Sequence, residues 1–90
     1  MPKFVAVQPL PAPATVEEAT PIAKIAKAES TVDAYWVGAW CQLDEKGKIV
    51  KIFCEWNASN IEAVRKVLAK VLIPLEGIYP LMKVDAEDYR

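Results

Sequence analysis

Apolar positions along this chain alternate between strand-like and helix-like spacing. In KFVAVQPL, Lys3 to Leu10, they form a strand-like run. Pro9, Pro11 and Pro13 predict its end, because proline has no N–H to give a ladder. Residues 9–14 are therefore expected to form a loop. TVEEATPIAKIAKAES, Thr15 to Ser30, has helical spacing, with Ile22, Ile25 and Ala26 on one side. Thr15 and Glu18 have the spacing of a capping box. Pro21 sits inside this pattern, so one opening turn followed by a kink is expected, or a helix that starts afresh at Thr20.

DAYWVGAWCQL, Asp33 to Leu43, and KIVKIFCEW, Lys48 to Trp56, are rich in aromatic and β-branched residues and predict two strands. DEKG between them predicts a hairpin turn with Gly47 in the left-handed conformation. That turn pairs Asp44 with Lys48. Counting back pairs Trp40 with Ile52 and Gly38 with Cys54. Trp36, Gly38, Trp40, Val50, Ile52, Cys54 and Trp56 then share one face. Tyr35, Val37, Ala39, Cys41, Lys51, Phe53 and Glu55 share the other. Burial of Lys51 and Glu55 under helices is costly, so the second set is expected on the open face. A loop one residue longer would slip this pairing by one.

SNIEAVRKVLAKVLI, Ser59 to Ile73, predicts a second amphipathic helix. Ile61, Val64, Leu68 and Val71 form its apolar stripe, Ser59 and Glu62 its capping box, and Glu62–Lys66 an exposed pair. EGIYPLMKV, Glu76 to Val84, predicts a last strand, and its Pro80 predicts an edge position. Residues 85–90 form a polar tail. The order β-α-β-β-α-β with right-handed crossovers predicts a single α+β domain over residues 1–90. Its fold is ferredoxin-like, with a four-stranded antiparallel sheet and both helices on one face.

Ninety residues bury roughly two-thirds of their extended surface, so the core is modest. The chain is nonetheless 53% hydrophobic. Part of that surface is expected to be covered by a second copy, in the manner of a dimeric α/β-barrel. Eleven basic against twelve acidic residues argue against nucleic acid, which rewards a basic face. No apolar run reaches the roughly 18 residues that span a bilayer, so no membrane partner is expected. MPKFVAVQPLPAPA has one early lysine and an apolar run broken by prolines, unlike a signal peptide. Two cysteines then predict free thiols in a reducing cytoplasm. The predicted register places Cys41 and Cys54 on opposite faces, out of reach of each other.

The absence of histidine bears most on chemistry. It removes the commonest general base and metal ligand, and every Ser-His or Cys-His nucleophile pair. No metal site and no cofactor is expected.

YWVGAWCQLDEKGKIVKIFCEWNASNIEAVRKVL resembles the bacterial and archaeal family called domain of unknown function 4242. The resemblance rests on the tryptophan strand, the hairpin, the cysteine ending the third strand, Ala58, and the acidic-Ala-Val start of the second helix. It covers roughly the C-terminal two-thirds of the chain; the proline-rich start has no counterpart. It implies a ferredoxin-like fold and a dimer. Some members are described as nickel-binding and place histidine in W-x-H-S-Y. Here Gly38, Ala39 and Trp40 stand instead, so nickel binding does not carry over.

Among single residues, Glu55 is the candidate general base, a carboxylate beside Phe53 on an apolar sheet. Its structural alternative is an ion pair with Lys51 or with a lysine of a second copy. Tyr35, Cys41, Lys51 and Phe53 are the candidate ligand contacts on the open face. Cys54 reads as core packing, since nothing activates its thiol. Trp36, Trp40 and Trp56 suit either an aromatic cage or the core, and the register favours the core. Arg65, Lys66 and Lys70 read as the solvated back of the second helix. The carboxylates Asp85, Glu87 and Asp88 read as tail charges rather than a metal loop.

These features predict a small homodimeric protein that holds a small organic molecule against its open sheet face. A cofactor-independent enzyme using Glu55 as base is the alternative, and a structural assembly module is a third.

Overall fold

The structure, a computed structural model, describes residues 1–89. Arg90, the last residue of the expected tail, lies outside the described residues. The elements are β1 (Lys3–Ala14), α1 (Val16–Ala28), β2 (Ala34–Leu43), β3 (Ile49–Ala58), α2 (Ile61–Leu68) and β4 (Gly77–Leu81), followed by a 3₁₀ turn, Ala86–Tyr89. The sheet order is β2-β3-β1-β4, and every neighbouring pair is antiparallel. This is the ferredoxin-like arrangement predicted from the element order.

β1 does not stop at the prolines. Pro9 pairs with Lys51 and Ala14 with Ile49, with a slip in register between them. β4 pairs only with residues from Lys3 to Val7, so beyond that point β1 has a free side where missing N–H groups cost nothing. Nor does Pro21 break α1, which runs without interruption from Val16 to Ala28. The residue whose carbonyl loses its partner, Glu17, is exposed, as is Pro21, and that carbonyl can turn to water. The predicted capping box is present. Thr15 Oγ1 accepts from the Glu18 N–H at 3.1 Å, and Glu18 Oε1 accepts from the Thr15 N–H at 2.9 Å.

α2 starts one residue later than its expected cap. Asn60, in extended backbone, accepts from the Ala63 N–H at 2.9 Å. Ser59 instead ties the helix entry to Asp33, through its backbone N–H at 2.8 Å. Glu62 pairs with Arg65 at 2.9 Å. β4 is shorter than predicted, and Pro80 sits on an edge strand as expected.

The hairpin turn forms as predicted. Gly47 has φ of 78°, and the Asp44 N–H donates to the Lys48 carbonyl at 2.8 Å. The pairing behind it departs from the simple count. Val50 bulges out of β3, which shifts the register by one, and Val37 bulges out of β2, which shifts it back. Between the bulges Trp40 faces Phe53, Ala39 faces Cys54 and Cys41 faces Ile52. Trp36 still faces Trp56. The middle of β2 is therefore turned over. Gly38 and Trp40 lie on the open face, and Ala39 and Cys41 on the helix side, the reverse of the expected assignment.

The core lies between sheet and helices. Trp56, Ala6 and Val64 are fully enclosed there, with Phe4, Ile52, Cys54, Val67, Leu68 and Ile78 around them.

Candidate functional site

The expected site residues fall on two faces. Tyr35, Lys51, Phe53 and Glu55 are together on the open face. Cys41 is on the helix side, so the predicted set is not one site. Glu55, the candidate base, is held by Lys3 Nζ at 2.6 Å rather than by Lys51. Lys3 also donates to Asn57 Oδ1 at 2.8 Å, and Asn57 Nδ2 donates to the Tyr35 hydroxyl at 2.9 Å. Lys51 reaches Glu76 at 3.2 Å. These contacts make a polar row along β3 with each charge answered. Glu55 is thus committed to an ion pair with Lys3. Phe53 is half-buried between Val7 and Trp40.

The helix side holds a cavity of about 290 Å³ between α1 and the sheet. Its existence follows from side-chain size. Ala19, Ala23 and Ala26 form much of the inner side of α1, and opposite them β2 offers Ala39 and Cys41. These small groups cannot fill the space left above a sheet carrying Trp36 and Trp56. The cavity reaches solvent at the β2 edge, where Ala39 and Cys41 are exposed.

Gln8 Nε2 and Trp56 Nε1 in this wall have no partner, while the Trp36 indole N–H meets only the weakly accepting Cys54 thiol. All three residues line the cavity. Gln8 is 2% exposed and Trp56 0%, so two of these side chains are sealed from bulk water. Gln8 is on the helix face of β1, directly opposite Ile52, and Trp56 is opposite both Phe4 and Trp36. Unmet donors at such depth are uncommon, because each costs the hydrogen bonds it made in water. No charged side chain lines the cavity. The Thr20 hydroxyl at its edge donates to the Val16 carbonyl at 2.8 Å.

Cys54 closes the floor. Burial pushes its thiol up to about 12, only partly offset by the Trp36 indole that faces it. It is protonated at neutral pH and adds no charge. Cys41 and Cys54 are diagonal neighbours on one face, not on opposite faces as expected, and both thiols are free. Diagonal sites lie roughly 7–8 Å apart, beyond ordinary disulfide reach.

The sequence offered Trp36 and Trp56 as either an aromatic cage or core, with the register favouring the core, and gave Gln8 no distinguishing signal. The available signal was ATPIAKIAKA, a helix whose inner side is mostly alanine, set against a tryptophan-rich sheet. Among the described residues no three His, Cys, Asp or Glu side chains gather as metal ligands. Also among them, no helix is long and apolar enough to cross a membrane.

No family model and no curated protein matches this chain. The solved structure of SCO4226 from Streptomyces coelicolor A3(2) is similar, with a TM-score of 0.74 and 17% sequence identity, covering 92% of this chain and 99% of that one. At that identity the likeness shows a shared fold: the ferredoxin-like sheet with two helices.

Proposed function

We propose that this chain is a binding protein for a small, mainly apolar molecule, taken up between α1 and the sheet, and that two copies pair through the open sheet face. The cavity carries the first part. Pockets for small ligands are concave, mostly apolar and about 300–1,000 Å³, and this one lies at the lower edge of that range with an entrance at β2. The expected location on the open face gives way to the helix side, because the bulges turn Cys41 toward the cavity.

The open face supports the pairing. Trp40 is 81% exposed there, with Tyr79 and Leu81 also exposed at the other edge. Lys3, Lys51 and Glu55 sit among them, so a two-fold partner can set unlike charges together. The resemblance to the domain of unknown function 4242 family is in keeping with both fold and pairing. Unlinked thiols favour a reducing compartment, and we place the protein in the cytoplasm. Enzymatic use of Glu55 has less support, since Lys3 already holds that carboxylate.

The test is titration with neutral one- and two-ring aromatic compounds, followed by calorimetry. Ala23→Leu fills the cavity and should abolish binding while the fold persists. Binding that survives Ala23→Leu, or that is lost on changing Phe53 instead, would place the ligand elsewhere.

A further inference from the structure

Building on the cavity reading, we infer that the first turn of α1, residues 16–20, is a lid over the cavity mouth, hinged at Pro21, and that a ligand enters when this turn lifts.

The N-terminal end of α1 lies at the mouth. Thr15 follows Ala14, which pairs with Ile49, and Ile49 pairs in turn with Leu43 at the hairpin end of β2. Cys41 is two residues from Leu43 and exposed. Val16, Ala19 and Thr20 line the cavity together with Cys41 and Ile49. The first turn therefore bounds the opening from above, while β2 bounds it from below.

The two ends of α1 are held differently. At the C-terminal end the Ser30 hydroxyl donates to the Ala26 carbonyl at 2.9 Å and accepts from the Trp36 N–H at 3.0 Å, which ties helix to sheet. Glu29 meets Lys70 at 3.1 Å, and Ala26 is buried. The polar contacts of the first turn are local: the capping box of Thr15 and Glu18, and the Thr20 hydroxyl to the Val16 carbonyl. Val16 is 67% exposed, and Glu17 and Glu18 are exposed. Below the turn, the pairing of Ala14 with Ile49 stands apart from the rest of the ladder, which lapses after Pro9. The turn is thus joined to a lightly held arm on one side and to a pinned helix on the other.

Pro21 separates the two. Helical bonds run from each N–H to the carbonyl four residues back, and Pro21 has no N–H to give Glu17. The bonds that still cross the joint run from Ile22, Ala23 and Lys24 to Glu18, Ala19 and Thr20. The Thr20 hydroxyl competes for the Val16 carbonyl, a contact that favours bending. Lifting the turn at Pro21 widens the mouth at Cys41 and leaves Ala26, Trp36 and Trp56 in place.

The experiment uses the intact protein and its Pro21→Ala variant, with naphthalene as the probe. Alanine is a strong helix former, so the variant keeps the fold. Amide hydrogen exchange at Ile22, Ala23 and Lys24 should be about tenfold or more faster than at Ala26, Lys27 and Ala28, and Pro21→Ala should slow it by about the same factor. Stopped-flow tryptophan fluorescence, reporting through Trp36 and Trp56, should show naphthalene entering and leaving about tenfold more slowly in Pro21→Ala, with Kd little changed. Lys70→Glu, which loosens the pinned end, should leave the entry rate as it is. Exchange at Ile22–Lys24 no faster than at Ala26–Ala28 overturns the hinge, whether or not naphthalene binds. An entry rate unchanged by Pro21→Ala overturns the lid while leaving a binding cavity. Failure of naphthalene to bind overturns the cavity reading, and the lid with it.

Discussion

Trp40 lies directly across from Phe53 on the sheet face that neither helix covers. Ordinary counting from the turn would have set it against Ile52, inside the core. Instead a large aromatic ring stands 81% exposed at the centre of β2. Exposure of that size beside other apolar groups is the ground on which we propose that a second copy covers this face.

Trp40→Lys should therefore dissociate the pair and leave the monomer folded. A central tryptophan in an interface commonly carries about 2 kcal/mol or more, or roughly thirtyfold in the dimer constant. Lys66→Glu, on the outer side of α2, should have no effect. Sedimentation of the unmodified protein as a 10.0 kDa monomer at micromolar concentration would sink the dimer.

Gln8→Met tests the cost of the cavity donors on stability. If the Gln8 amide is buried and unmet, replacing it with an apolar chain of similar length should stabilise the protein by about 1 kcal/mol. Urea unfolding with an unchanged m-value would show this. A loss of stability instead would mean that the amide is satisfied within the fold.

The two thiols should react at very different rates. Cys41 is exposed, and Cys54 is buried with its thiol raised from 9.0 to about 12. Three units lower the thiolate fraction about a thousandfold, before any steric protection. An aromatic disulfide reagent at pH 8 should label one thiol quickly and the second only on unfolding. Linkage has a definite sign here. The folded protein holds this proton more tightly than the unfolded chain, so the contribution of Cys54 is fully present below about pH 9 and is lost as the pH rises toward 12. Cys54→Ala should flatten that alkaline decline. An unchanged profile would show that other groups cause it.

Gly47→Ala should destabilise by about 1 kcal/mol, because φ of 78° is strained for a side chain. Gly38→Ala should be nearly neutral, since a Cβ there meets open space. Equal costs at the two positions would contradict the turn geometry. Thermal unfolding of both variants is the measurement.

Much of the fold was legible from local chemistry. The capping box of Thr15 and Glu18, the left-handed Gly47, the stripe from Ile61 to Val71 and the edge proline at Pro80 are short-range signals, and each acts within a few residues. Together they set the element order, and the element order with right-handed crossovers sets the sheet. The turn even fixed the pairing at both ends of the hairpin.

Tertiary contacts decided the rest. The bulges at Val37 and Val50 cancel each other, so nothing in the spacing from Trp36 to the turn reveals them. Yet between them every β2 side chain from Gly38 to Cys41 changes face, because the strand period is two. That turned Trp40 outward and Cys41 inward. Pro9 to Pro13 could remain in a strand only because β4 ends its pairing at Val7, a fact about a neighbour far along the chain. The cavity is of the same kind. Each alanine of α1 is an ordinary helix former, and each tryptophan an ordinary strand residue. Only when helix and sheet are packed does the mismatch in their sizes leave space, with Gln8, Trp36 and Trp56 turned into it.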